Sequence, residues 1–264
     1  MRSMFSVVIP AYNCEKTIER VLDSVMAQTR FDLINEIIVI NDGSTDNTDA
    51  VIKDYIKRKP GNKINYIIQE NHGVSYTRNK GIRIAEGEWI ALLDSDDVWN
   101  PVKIERQYEV IASNQDIKFL GCQYPLKVLL KKRTGLVKLT PKELCLRSMP
   151  TTPSVVFERK AGMELGLYNE SMRYSEDINF FQKFLSLDSY YILAEDLVTI
   201  GIGKEFYGQS GLTANIRQMH LGRNCNVREL YEAGLISKRY MILMLAFNQI
   251  KYMRRFLVTH MKQS

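Results

Sequence analysis

Three carboxylates close the stretch ALLDSDDVW at residues 91–99, where Asp94, Asp96 and Asp97 follow an apolar run that ends at Leu93. Like charges this close repel, so a cation or a ligand is needed to make the crowding tolerable. Asp-x-Asp at a strand end puts two carboxylates within reach of one small, hard cation, which takes oxygen ligands and can share them with a diphosphate. The plainer alternative is a solvated turn, with one Asp capping the helix that starts near residue 100. A second acidic pair, Glu176 and Asp177 in SEDINF (175–180), falls in a first helical turn, where the dipole alone favours acids. In INDGSTDNT (40–48), turn and cap chemistry accounts for Gly43 and Asp46. It accounts less well for Asp42 at the strand exit, where a carboxylate could accept a hydrogen bond from a nucleobase imide. Tyr12 in VVIPAYN (7–13) is placed to stack on a base or to join the core. NHGVSYTRNKG (71–81) carries Arg78 and Asn79, with Arg78 suited to phosphate or simply to solvent. The histidines are solitary, and of them His220, after the last strand, is the candidate metal or phosphate contact.

The elements that must position these residues can be read from hydrophobic period. FSVVIP, EIIVIND, INYIIQE and EWIALLD read as strands. CEKTIERVLDSVMAQ, NTDAVIKDYIKRK and GVSYTRNKGIRIAEG read as the helices between them. Strands alternating with helices predict a parallel sheet covered on both faces, with ligands beyond the carboxyl ends of the strands. AYN, NDGSTDN, QENHG and DSDD all lie at those ends and are expected to converge in one cleft. Downstream, NPVKIERQYEVIAS is expected to be a helix with Pro101 near its first turn, and residues 117–139 strands around a Lys-rich turn at KKRTG. TPKELCLRS reads as a short helix capped by Thr140, PSVVFERK as a strand, SEDINFFQKFLSL as a helix capped by Ser175, and YYILAEDLVTIGI as a strand. The chain is mostly helical from about Ala214.

The 264 residues suit one large α/β domain with an extension. The formal charge of +6 is uneven: residues 212–264 hold nine Lys or Arg and two Glu, so the remainder is close to neutral. That pattern argues against nucleic acid and for a local anionic surface such as a membrane. On a helical wheel, Lys251, Arg254, Arg255 and Lys262 share one side of the tail, and Tyr252, Met253, Phe256, Leu257 and Met261 the other. Packing on the body or on a second copy is the alternative. Four scattered cysteines, Cys14, Cys122, Cys145 and Cys225, read as reduced structural thiols. No signal-peptide layout opens the chain, and YMILMLAF (240–247) is too short to span a bilayer. The expected location is cytoplasmic, with peripheral attachment at the inner face of the membrane.

The ordered set SVVIPAYN, INDGSTDNT, NHGVSYTRNKGI, GEWIALLDSDDVWNPVKIERQ and SED closely resembles family 2 glycosyltransferases with the GT-A fold, strongly over residues 4–107 and again around 151–180. The resemblance implies an α/β GT-A domain over 1–213. Its nucleotide-sugar half is 1–100 and its acceptor half 101–213, with 214–264 a basic amphipathic helical extension. It implies inverting transfer of one sugar from a nucleotide sugar, a UDP-sugar, to a saccharide or lipid-linked saccharide acceptor in surface polysaccharide synthesis. Pro10, Ala11, Tyr12 and Asn13 would line the nucleoside pocket, Asp42 would read uracil, and Arg78 or Asn79 would lie near it. Asp94 and Ser95 would adjoin the nucleotide. Asp94 and Asp96 would hold Mn²⁺ or Mg²⁺, with Asp96 the closer ligand. Asp177 would be the catalytic base, with Glu176 in reserve. The chain lacks the QxxRW signature of polymer-making members, which argues for single-sugar addition. A sugar nucleotidyltransferase and an inactive nucleotide-sugar-binding protein are the rival readings. The first usually carries a Gly-rich basic loop that PAYNCEK does not supply, and intact Asp94, Asp96 and Asp177 speak against the second.

Overall fold

Strand β1 (Phe5–Ala11) is buried along both faces, as a strand at the centre of a two-sided sheet must be. The computed structural model describes residues 4–123, 134–146, 150–201 and 215–261. β1 pairs in parallel with β2 (Ile34–Asp42) and with β4 (Trp89–Leu92), and β2 pairs in parallel with β3 (Ile64–Gln69). The connecting helices are α1 (Ile18–Met26), α2 (Thr48–Arg58) and α3 (Val74–Ile84). Parallel pairing brings Ala11, Asp42 and the residues after Leu92 to the same edge of the sheet, which is where the polar clusters gather.

The second half is mixed. β6 (Phe119–Gln123), β7 (Leu136–Lys138), β8 (Val156–Glu158) and β9 (Tyr191–Asp196) complete an eight-stranded sheet of order β3-β2-β1-β4-β8-β6-β9-β7. β8 runs antiparallel to both β4 and β6, and β7 antiparallel to β9, whereas β6 and β9 are parallel. The short strands β5 (Val98–Trp99) and β10 (Val198–Thr199) form a separate antiparallel pair.

Alternation along the strands feeds two cores. Val7 and Ile9 face a cluster with Leu22 of α1, Tyr55 of α2 and Ile104 of α4 (Lys103–Ser113). Val8 and Ile40 face the other, with Ile82 of α3, Ala161 of α6 (Arg159–Glu164) and Phe180 and Phe181 of α7 (Glu176–Gln182). Gly81 lets α3 lie directly on β1, since a Cβ there would overlap Val8. The sequence separates residues 214–264 as an extension, but α8 (Ile216–Glu232) contributes Val227 and Leu230 to the second core, and α9 (Lys238–Met261) contributes Met244. The polar residues of α8 obscure this, because only a narrow face turns inward. The boundary expected at 213 lies outside the described residues, as do Lys131, Lys132, Arg133, Lys262 and the side chain of Met261.

One cap follows expectation and one does not. Asp46 Oδ1 accepts from the Thr48 amide at 3.0 Å, but Asp46 lies one residue before the cap position of α2, which Asn47 holds with no side-chain hydrogen bond. Thr140 and Glu143 form a reciprocal capping box at α5 (Pro141–Leu146). The helix after DSDDVWNP starts two residues beyond Pro101 and is pinned from within. Trp99 Nε1 donates to the Pro153 carbonyl at 2.8 Å, and Gln107 Nε2 to that of Ser154 at 2.9 Å.

Lys103 is fully buried among these groups, with Nζ donating to Gln107 Oε1 at 2.8 Å and 4.1 Å from the Trp99 ring centroid. No carboxylate pairs with it among the described residues, and burial lowers its pKa to about 8. A buried cation costs stability while both folded and unfolded states are protonated, and the cost fades as pH rises from the folded value to the ordinary lysine value. At about 1.4 kcal/mol per tenfold change in proton affinity, the cost below pH 8 is on the order of 3 kcal/mol, partly offset by the Trp99 contact. Lys103→Met should therefore raise Tm at pH 7. The gain should shrink between about pH 8 and 10.5, as thermal melts across that range would show.

Candidate active site

The strand ends enclose a cleft of about 1090 Å³, at the upper end of ligand-pocket sizes. Pro10, Ala11, Tyr12, Asp42, Arg78, Asp94, Ser95, Asp96, Glu176 and Asp177 all line it. Tyr12 is 51% exposed, which answers the choice between core and cleft in favour of the cleft. Asp42 is buried and rigidly held. Its Oδ1 accepts from Gln69 Nε2 at 2.7 Å and from the His72 amide at 2.9 Å, and its Oδ2 accepts from the Gly73 amide at 2.9 Å. One lone-pair direction on Oδ2 is left for a ligand N–H.

The aspartates after β4 play different parts. Asp97 is buried and accepts from the Gly201 amide at 2.7 Å, tying the loop to the chain after β10. The Ser95 carbonyl is fixed by Thr17 Oγ1 at 2.6 Å. Asp94 and Asp96 remain half-buried at the cleft. The crowding has a cation built into the protein: Arg78 NH2 donates to Asp94 Oδ1 at 2.7 Å, and Arg78 NH1 to Glu176 Oε1 at 3.1 Å. The guanidinium is engaged by these two carboxylates and also borders the cleft. Burial disfavours its charge, yet Asp94, Tyr168 and Glu176 outweigh burial and hold it protonated.

Glu176 and Asp177 open α7, and burial raises both carboxyls. Glu176 rises to about 7, pushed further by Asp177 and held back by Arg78. Asp177 Oδ1 accepts from the Ile178 amide at 2.7 Å, and its other oxygen has no protein partner among the described residues. Ser175 does not cap the helix with its hydroxyl as expected. It sits at φ 58°, in the left-handed region, with a buried Oγ that makes no hydrogen bond. Side-chain capping needs an extended residue at that place, and the left-handed geometry replaces it. Such a conformation costs a non-glycine residue roughly 1–2 kcal/mol and marks a place that its surroundings hold.

Three expected site residues stand elsewhere. Asn13, at φ 47°, accepts from the Thr45 amide at 2.8 Å and holds the Tyr12 loop against the loop after β2. Asn79 is buried, accepts from the Tyr168 amide and donates to the Tyr168 carbonyl, both at 2.9 Å, and so positions the segment that enters the cleft at Glu170. His220 stacks on Tyr252 at 4.7 Å between ring centroids and bonds with Asn224, and its neighbour Met219 is the α8 residue that lines the cleft. His72 falls in the expected QENHG cluster, whereas sequence patterns missed Thr152, Met172, Tyr174 and Ile200 as lining residues. No motif spacing marks them, since they come from loops that the fold alone brings together.

Among the described residues no group of three or more His, Cys, Asp and Glu could hold a metal. Asp94 and Asp96 nonetheless suit a hard cation that takes its remaining oxygens from a ligand and water.

The sequence profile of glycosyl transferase family 2 matches residues 6–135. An uncharacterised glycosyltransferase of Rickettsia typhi is 31% identical over 214 residues, covering 74% of this chain and 63% of that protein. The chain belongs to glycosyl transferase family 2. EpsJ, an uncharacterised glycosyltransferase of Bacillus subtilis, is 32% identical over 200 residues, covering 68% of the family 2 chain and 55% of EpsJ. The chain thus spans about 55–63% of the length of these relatives. Residues 1–349 of TarS from S. aureus, solved with UDP-GlcNAc, superpose with a TM-score of 0.73 at 18% identity, covering 93% of this chain and 71% of that one. The mannosyltransferase PcManGT from Pyrobaculum calidifontis, solved with GDP-Man and Mn²⁺, gives 0.67 at 16% identity, covering 96% and 88%. The fold is therefore GT-A.

Removing one member of a buried ion pair typically costs about 3–5 kcal/mol, because the other charge is left uncompensated. Arg78→Met should destabilise the protein on that scale. Glu176 keeps its proton below its raised pKa, so the loss should be smaller at pH 5 than at pH 8. Adding Glu176→Gln should recover part of the loss, and denaturant unfolding of both variants at the two pH values checks this.

Proposed function

We propose that this chain is an inverting, metal-dependent glycosyltransferase that moves one sugar from a UDP-sugar to a hydroxyl of a saccharide acceptor. The observation that carries the reading is the pairing, in one cleft, of the strand-end aspartates with the acidic start of α7. Arg78 bridges the two, so the Asp94 and Glu176 carboxylates are about one guanidinium apart.

In this reading Tyr12 offers its exposed ring to the base, while Pro10 and Ala11 shape the wall beside it. Asp42 accepts the imide N–H of uracil on its remaining lone pair. Asp94 and Asp96 would hold Mn²⁺ or Mg²⁺, which when bound offsets the charge of the leaving diphosphate. Mn²⁺ in the PcManGT complex supports a divalent ion. Neighbours bind both UDP-GlcNAc and GDP-Man, so the preference for uracil rests on Asp42.

Asp177 takes the proton of the attacking acceptor hydroxyl on its unpartnered oxygen. A carboxylate whose pKa is raised by burial is a stronger base than a solvated one and stays closer to the working pH. Met172, Tyr174, Ile200 and Met219 give the acceptor side an apolar, aromatic wall suited to a sugar face. A lipid-linked acceptor, and with it surface polysaccharide synthesis, follows from the family and from the basic C-terminal helices. α9 exposes Ile250, Met253, Phe256 and Leu257 beside Arg254 and Arg255, which favours peripheral contact with an anionic membrane. Tyr252 is turned inward onto His220 and takes no part in that contact. No described helix is long and apolar enough to cross a membrane.

Four outcomes test the reading. UDP with Mn²⁺ should raise Tm more than GDP with Mn²⁺, and chelator or Asp96→Asn should remove most transfer while leaving the fold intact. Equal shifts for both nucleotides would remove Asp42 as the base reader. Asp177→Asn should keep donor binding and lose transfer by roughly 10²–10⁴-fold. An α-linked donor should give a β-linked product by NMR, and an α-linked product would show the mechanism to be misassigned.

A further inference from the structure

α8 lies against the turn that presents Glu176 and Asp177. Asn226, buried on α8, donates from Nδ2 to the Ser175 carbonyl at 3.0 Å, and its Oδ1 accepts from Asn179 Nδ2 at 2.9 Å. One helical turn earlier, Gly222 allows the closest approach, because a Cβ there would overlap the Tyr174 carbonyl oxygen. Four residues apart, the two share one helix face. Between them Ser175 holds its left-handed backbone with no help from its own hydroxyl. Its residue type does not favour the conformation either, as glycine would. The Ser175 carbonyl also accepts from the Asn179 amide of α7 at 3.1 Å, and α8 meets this turn from outside.

From this arrangement we infer that Gly222 and Asn226 are positioning residues that fix the Ser175 backbone, and through it the direction of the Asp177 carboxylate. The inference rests on Asp177 as the base. Val227 and Leu230 already supply apolar burial for α8, so a polar side chain at 226 is not needed for docking. What Asn226 adds is direction: it links the carbonyl before Glu176 to the side chain of Asn179 one turn on. Without it Ser175 relaxes towards ordinary backbone regions, and the two acidic side chains that follow rotate with it. A base displaced by about 1 Å can lose on the order of 10²-fold in rate while ground-state binding persists.

Asn226→Ala and Gly222→Ala in the full chain test this. Both should lower kcat by roughly 10–100-fold. Donor KM, UDP–Mn²⁺ affinity by calorimetry and the circular dichroism spectrum should stay near wild type. Because glycine adopts positive φ readily, Ser175→Gly in the Asn226→Ala background should restore part of the lost kcat. A crystal structure of Asn226→Ala should show Ser175 outside the left-handed region. The inference is overturned if Ser175 and Asp177 are unmoved in that structure, if UDP affinity falls in step with kcat, or if Ser175→Gly restores nothing. Should Asn226→Ala not fold, Gly222→Ala and the Gly222→Ala/Ser175→Gly pair carry the same comparison, with UDP affinity and the Ser175 backbone again the deciding readouts. A wild-type chain that transfers no sugar would sink the glycosyltransferase reading, while the Ser175 backbone in the variant structures would still decide this one.

Discussion

The buried guanidinium of Arg78 is the constraint on which the site depends. One positive charge stands among Asp94, Glu176 and Asp177, with hydrogen bonds to the first two. Burial chiefly raises the affinity of Glu176 and Asp177 for protons, the neighbouring carboxylates add to it, and the single Arg78 cation offsets it only in part. The same helix, α3, sends the adjacent Asn79 to Tyr168 and Glu170. Two consecutive residues on one helix thus fasten a strand end and both parts of the chain that leads into α7.

The two halves of the sheet suit different tasks. Parallel strands β1 to β4 bring every loop that leaves a strand's carboxyl end to one edge, which builds one wall of the cleft from short, tightly hydrogen-bonded turns such as the one around Asp42. The mixed strands beyond β4 send their connections in both directions. The opposite wall is accordingly assembled from scattered residues, Thr152, Tyr174, Ile200 and Met219 among them. A wall made of separate loops can vary without disturbing the rigid wall opposite it.

The first half of the chain was legible because its physics is local. Apolar runs of strand length, Gly43 at φ 70° and the Asp46 bond to the Thr48 amide each act within a few residues, and the periodicity of α1 to α3 places the helices correctly. The gathering of AYN, NDGSTDN, QENHG and DSDD in one cleft followed from parallel pairing. Long-range partners were not legible. Nothing near Arg78 in the sequence says that its charge will meet Glu176, 98 residues away. Ser175 looked like a cap because cap preference is a local statistic, whereas its backbone is also held from α8. Asn79 and Asn13 were read as nucleotide contacts from their motifs, and their side chains hold loops that line the cleft.

The contact of Gly222 with Tyr174 also bears on how such enzymes can be recombined. The family profile ends at residue 135, yet the acidic turn is braced by a helix that begins 81 residues later. Donor halves can be exchanged between relatives at the sheet, where backbone pairing tolerates many side chains. The acidic turn and its bracing helix form a separate heritable module, because a foreign helix with any larger residue facing Tyr174 would push the turn aside. A chimera that divides the chain between Asp177 and Gly222 would assemble a complete set of site residues and still aim the Asp177 carboxylate badly.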